Sequence, residues 1–232
     1  MRFVIVILIA AMGLAQADTR SDKTQMIDPK KIMFTVPTIS NDLAPVEPVT
    51  SKPNPEQPAF HEDDWCQVEF YPRSYLPELQ RMLQEYKTFE LANRQKTTIQ
   101  GKDYWVWRNT YVRKVVRNPL IAGSAPLPQL ESTLGAKAGP APVLYSSGAL
   151  TGRVREGFTL PLGGNVILYG YQNSGQIPVL GALVGNNPDN QVLTKAFEKL
   201  HAAYGLVLVD WRSQFILVSS SEGGKLDLWS PP

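Results

Sequence analysis

The sequence predicts an α+β fold, with a mixed or mostly antiparallel sheet covered by two main helices at about 75–94 and 191–204. Three observations predict it. Leu193, Phe197, Leu200 and Tyr204 recur at steps of 4, 3 and 4, which places them on one helical face. Two β-branched apolar runs follow at once, 206–211 and 215–218, separated by Arg212-Ser213-Gln214 as a hairpin turn. A second helical stripe, Tyr75, Leu79, Met82, Tyr86 and Phe89, follows an alternating segment from Trp65 to Tyr71. Runs of strands interleaved with a few helices suit an antiparallel or mixed sheet better than a doubly wound parallel one.

The chain opens with Met1-Arg2, an apolar run from Phe3 to Ala15, and Ala15-Gln16-Ala17. A cation, a short apolar core and a small-x-small site make residues 1–17 a secretory signal peptide, cut before Asp18. The run of 13 residues is shorter than the roughly 20 needed to span a bilayer. The brief cationic region favours bacterial export, to the periplasm or the medium. Removing Arg2 with the signal leaves 22 cations against 21 anions, a net charge of +1. Near-neutrality gives no general pull toward nucleic acid or an anionic membrane.

Residues 18–60 carry prolines at 29, 37, 45, 48, 53, 55 and 58 without a helix or strand period. This composition predicts an extended, semi-rigid linker ahead of a globular domain at 61–232. His61-Glu62-Asp63-Asp64 is four potential metal ligands in a row, but adjacent side chains diverge, so the segment reads as a solvated domain entry. In the strand that follows, Cys66, Val68 and Phe70 form the apolar face and Gln67 and Glu69 the polar one. Cys66 is the single cysteine, which rules out an internal disulfide, and its setting suits a buried strand thiol better than a nucleophile. Ser74 is the candidate cap of the first helix, and Arg81, Glu85, Lys87 and Glu90 form its wet side.

The run 102–117 is one long strand or a hairpin turning near Arg108-Asn109. Tyr104, Trp105, Trp107 and Tyr111 interleave there with Arg108, Arg113, Lys114 and Arg117. Aromatics beside cations are what single-stranded nucleic acid, anionic glycans and protein interfaces use. An exported chain favours a protein or a glycan. Segment 118–142 holds five prolines and three glycines around a short helix at 127–134, and marks a possible subdomain break. Strands follow at 143–145, 153–162, 166–172 and 177–184, the last two joined by an Asn173-Ser174-Gly175 hairpin turn, with Pro178 predicting an edge strand. Asn190 caps the second main helix, Gly205 ends it, and 225–229 is a terminal strand after a turn at Glu222-Gly223-Gly224.

The motif inventory is negative. No Ser-x-x-Lys, Gly-x-Ser-x-Gly, Gly-x-x-x-x-Gly-Lys, His-Glu-x-x-His or Cys-x-x-Cys occurs, so no cofactor is implied. With only His61 and His201, a multi-histidine zinc site has too few ligands. Asp210 ends an apolar strand beside Trp211 and Arg212, and a two-carboxylate hydrolase would need it to meet Glu69, Glu156 or Asp227. The expectation is therefore an exported, soluble, non-catalytic protein-binding module of the bacterial cell envelope. It would be an accessory part of a secretion or envelope assembly, or a periplasmic inhibitor or immunity protein. Its candidate binding residues are Tyr104, Trp105, Trp107, Arg108, Arg113, Lys114, Asp210, Trp211 and Arg212. The rivals are a peptidoglycan or glycan binder using Tyr104, Trp105, Trp107 and Arg108, and the carboxylate-dependent hydrolase.

Overall fold

A computed structural model describes residues 33–49, 57–146, 149–221 and 225–232. The signal segment and the 222–224 turn lie outside the described residues. The described chain runs β1 (Thr38–Ser40), β2 (Val46–Glu47), β3 (Ala59–His61), β4 (Val68–Pro72), α1 (Leu76–Asn93), β5 (Arg94–Ile99), β6 (Lys102–Trp107), β7 (Tyr111–Arg113) and β8 (Ile121–Ala122). It continues through α2 (Pro126–Leu134), β9 (Val143–Ser146), β10 (Ala149–Val154), β11 (Gly157–Gly163), β12 (Val166–Asn173), β13 (Gln176–Val184), α3 (Asn190–Tyr204), β14 (Leu206–Asp210), β15 (Phe215–Ser220) and β16 (Leu226–Trp229).

The α+β prediction holds. The main sheet has the order β11-β12-β13-β4-β14-β15-β16, with β8 added to β13, and all its pairings are antiparallel. Strand alternation sends its side chains to two layers. Phe70, Leu168, Leu180, Leu206, Leu208 and Leu217 pack with Leu130 of α2 and Phe197 and Leu200 of α3. Their neighbours Tyr71, Val207, Val209, Ile216 and Val218 pack on the other face against Leu79, Leu83 and Tyr86 of α1. The rest of that second face, Tyr169 and Val179, meets Phe60, Leu144 and Val154 of a small four-stranded sheet, β2-β10-β9-β3. Two covers, a helix and a sheet, therefore share one face of the main sheet, and a seam runs between them at β4.

Local chemistry accounts for the boundaries. Asp189, not Asn190, caps α3: its Oδ1 accepts from the Gln191 N–H at 2.9 Å. Gly205 follows in the left-handed conformation at φ 65°. No side chain caps α1, because a 3₁₀ turn over Arg73–Tyr75 leads straight into it. The hairpin in the aromatic run turns at Gln100-Gly101, with φ 50° and 75°, rather than at Arg108-Asn109. Two successive positive φ values fit a tight two-residue turn, and they let the polar segment Arg94–Ile99 fold back on Lys102–Trp107. Ser174-Gly175 turns the β12–β13 hairpin with φ 50° and 72°, where a turn is expected. Pro178 does not mark an edge. β13 is internal, and Pro178 sits where the β12–β13 register shifts between Tyr171 and Asn173, so its missing N–H breaks no regular pairing.

Segment 118–142 does not divide the chain. Ile121, Leu130 and Leu134 lie in the α3-side core, and Gly139 bridges Thr159 of β11.

The larger departure is the proline-rich leader. Its described parts are extended, but they belong to the folded body. β1 pairs in parallel with β7, β2 pairs with β10, and β3 pairs in parallel with β9. Proline cannot donate, yet its carbonyl accepts. Pro37, Pro45 and Pro58 accept from the N–H groups of Tyr111, Arg155 and Val143 at 2.9, 2.6 and 2.9 Å. Thr38 is 0% exposed; its hydroxyl donates to the Tyr111 carbonyl and accepts from Arg113 Nη1, both at 3.0 Å. Replacing Thr38→Val keeps the shape and removes both bonds. It lowers unfolding free energy by about 1–3 kcal/mol in urea titration, whereas the same change in a free linker stays within about 0.5 kcal/mol.

Candidate functional site

The seam at β4 holds most of the buried polar side chains of the described structure: Thr38, Gln67, Glu69 and Arg113. Gln67, Glu69 and Tyr71 fall at alternate positions and face the same way. Glu69 is 0% exposed, although the sequence pattern places it on the wet side. The seam explains this: its face of the sheet is roofed by α1 on one side and by the small sheet on the other. Between the two roofs lie β1 and β7 with the chain just beyond each.

The Glu69 carboxylate is fully occupied. Oε1 accepts from Tyr71 Oη and from Trp211 Nε1, each at 2.8 Å, and Oε2 accepts from Arg117 Nη1 at 2.7 Å. Arg117 also donates through Nε to Asp42 Oδ2 at 2.7 Å, so one guanidinium bridges the central strand and the leader. Burial alone would make Arg117 easier to deprotonate, but the charge of Glu69 leads the opposing effects and holds its pKa above the ordinary value. Arg113, 0% exposed, has no carboxylate partner among the described residues. It donates to Thr38 Oγ1 and to the Cys66 carbonyl at 2.9 Å and lies 4.9 Å from the Trp211 ring centre. Burial lowers its pKa, and among the described residues its Nε finds no acceptor.

Cys66 lies in the turn before β4, not within a strand, with φ 58°. The neighbours enforce that unusual conformation: its N–H donates to Tyr169 Oη at 2.8 Å and its carbonyl accepts from Arg113. Tyr169 reaches it across Gly181, where a Cβ would stand 2.4 Å from the Tyr169 ring. Burial first, then the Glu69 charge, pushes the Cys66 thiol pKa well up. A thiol held protonated is a poor nucleophile. Glu69 and Arg113 are both 0% exposed. The cluster's evident work is to fasten the leader and the 111–117 segment to the central strand.

The predicted binding residues separate into five sets. Arg113 and Trp211 are both 0% exposed and belong to the buried cluster, so they are removed from the working surface. Trp107 is 9% exposed and anchors the base of the β5–β6 ribbon, exchanging backbone bonds with Phe34 at 2.8 and 2.9 Å. Asp210 and Arg212 serve the β14–β15 turn: Asp210 Oδ1 accepts from the Ser213 N–H at 2.8 Å, and Arg212 pairs with Asp64. Lys114 is exposed beside β7. Tyr104 and Trp105, at 46% and 51% exposure, stand out on the ribbon with Arg108.

The carboxylates of the hydrolase reading do not meet Asp210 at one place. Glu69 lies opposite Val209 in the β4–β14 register, so Asp210, one residue on, projects from the other face of the sheet. Glu156 is exposed at the β10–β11 turn and Asp227 is exposed on the terminal strand. His61 caps a 3₁₀ turn over Glu62–Asp64: its Nδ1 accepts from the Asp63 N–H at 3.2 Å and lies 3.3 Å from Asp63 Oδ2. A cavity of about 180 Å³ between α2 and α3, lined by Leu134, Leu162, Val192, Lys195, Ala196 and Lys199, includes none of the predicted site residues. It is below the roughly 300 Å³ at which small-ligand pockets begin.

Sequence reasoning missed Glu69, Arg117, Asp42 and Tyr71 as a unit. The usable signal was the triplet Gln67, Glu69, Tyr71 at period two, three hydrogen-bonding side chains on one face of a strand.

Two outcomes follow from the cluster. Glu69→Ala leaves Arg117 buried with only Asp42, and lowers stability by about 3–5 kcal/mol in chemical denaturation. Stability also falls in alkali. Cys66 and Tyr71 keep their protons in the folded protein above the ordinary values of 9.0 and 10.0, while the unfolded chain releases them there. The unfolded state then binds fewer protons, so unfolding free energy decreases as pH rises beyond about 9. Melting temperatures measured from pH 7 to 11 decline from that point, and Cys66→Ala removes the earlier part of the decline.

No protein-family model matches this chain, and comparison with curated proteins and with solved structures gives no match to it.

Proposed function

We propose that the protein is an exported, non-catalytic protein-binding module of the bacterial cell envelope, working as an accessory part of an envelope or secretion assembly. The observation that carries this reading is the β5–β6 ribbon. It displays two half-exposed aromatics, Tyr104 and Trp105, together with exposed cations. Large aromatics and arginine are the side chains that contribute most at protein interfaces.

The rival readings have less support. A glycan clamp stacks a sugar on aromatics that share a groove. Tyr104 and Trp105 are consecutive in a strand and therefore face opposite ways. A hydrolase needs carboxylates that converge in a cleft, and Glu69 is enclosed by its own donors. Export rests on residues 1–17. Among the described residues, no helix is long and apolar enough to cross a membrane. The assembly role does not rest on a free tether, because 33–49 is bound into the body.

Crosslinked capture from envelope extract tests the proposal. The wild-type chain retains a specific protein, and Tyr104→Ala/Trp105→Ala weakens that retention by about 30-fold or more, the loss expected for removing a central aromatic contact. Sedimentation with peptidoglycan, without any captured protein, overturns it.

A further inference from the structure

We propose that the free edge of β5 receives an acidic, extended segment of the partner protein as an added strand. This rests on the protein-binding reading above and names the chemistry of the partner.

The first support is charge. Over residues 94–108, Arg94, Lys96, Lys102 and Arg108 stand against the single carboxylate of Asp103, a net +3. The whole chain carries only +2, so the rest of it is net −1 and the positive charge is concentrated on this ribbon. Lys96 is the one ribbon cation paired with that carboxylate. Arg94 lies 4.9 Å from the Trp105 ring centre instead, which leaves its guanidinium edge for a further acceptor.

The second support is the backbone. β5 is six residues long and, among the described residues, pairs only with β6. Its outer edge thus presents unpaired N–H and carbonyl groups, the requirement for strand addition. β6 is less available, because Trp107 already bridges Phe34.

The two supports share a period. In the β5–β6 register, Arg94, Lys96 and Thr98 lie on the same face as Trp105, at every second residue. A strand added to β5 brings its own alternate side chains beside them. Carboxylates spaced two apart therefore meet Arg94 and Lys96 together. An anionic membrane offers charge but no backbone to pair, and the two exposed aromatics point to opposite faces, so a bilayer is the weaker fit.

The test uses a 12-residue peptide alternating Glu and Val, the same peptide with Lys for Glu, a version with Pro in place of alternate Val, and phosphatidylglycerol-containing vesicles. The probes are titrated against the full exported chain at low salt, with amide exchange followed along 94–99. The Glu peptide binds and slows exchange at 94–99. Arg94→Glu/Lys96→Glu, checked for fold by circular dichroism, weakens it by about tenfold or more. Equal binding of the Lys or Pro peptide, binding without protection at 94–99, or binding to vesicles alone overturns the proposal. The natural partner separates the two readings. If Tyr104→Ala/Trp105→Ala loses it while Arg94→Glu/Lys96→Glu keeps it, the acidic-strand proposal falls and the protein-binding reading stands. If neither variant loses it, both fall.

Discussion

The architecture depends on one carboxylate. Glu69 sits in the middle of the main sheet, on the central strand, with no exposure to water. A buried charge is costly unless it is paired and its remaining acceptor sites are filled. Arg117 supplies the charge, and Tyr71 and Trp211 fill the second oxygen. Arg117 in turn reaches Asp42 in the leader. The carboxylate thus recruits groups from four separate parts of the chain: the central strand, the segment after β7, the turn after β14 and the leader. An apolar residue at this position would ask none of them to be there. The cluster is therefore better understood as specifying which segments close the seam than as adding net stability.

What was legible in the sequence is what obeys a period. The stripes on α1 and α3, the β14–β15 hairpin and the Ser174-Gly175 turn are written in local spacing, and they fold as that spacing requires. The failures also have local causes. Gln67-Val68-Glu69-Phe70 alternates like a half-wet strand, but alternation reports two unlike faces and not which of them meets water. Arg94–Ile99 is polar and follows a helix without a break, so nothing in it marks a strand until Gln100-Gly101 turns the chain. In the leader, prolines suppress helix and central-strand patterns, and that suppression looks the same in a free linker and in an edge segment accepting hydrogen bonds. Of the nine predicted binding residues, the exposed aromatic pair and its neighbouring cations keep their place at the surface. Arg113 and Trp211 do not, because their partners, Thr38 and Glu69, are distant in sequence.

The interior and the ribbon divide the chain's aromatic and basic residues between two uses. Arg113 over Trp211 is a cation on a ring with water excluded, held by Thr38 and Cys66. Arg94 over Trp105 is the same pairing in contact with solvent. The first fixes internal geometry. The second keeps an exposed indole covered on one side by a movable, charged group, a surface suited to exchanging one polar neighbour for another. One residue pattern in the sequence, aromatic beside arginine, therefore resolves into two roles that only long-range packing distinguishes.

The leader's pairing also sets an order of events. Thr38 bonds to Tyr111, 73 residues downstream, and Glu47 pairs with Arg153, 106 residues downstream. A chain made from its N-terminus has these strands waiting, unsatisfied, until residues 111 and 153 have followed. Contacts at such separations close late. Glu69 waits longer still, 142 residues for Trp211, so the seam gains its last donor after the leader has already been paired.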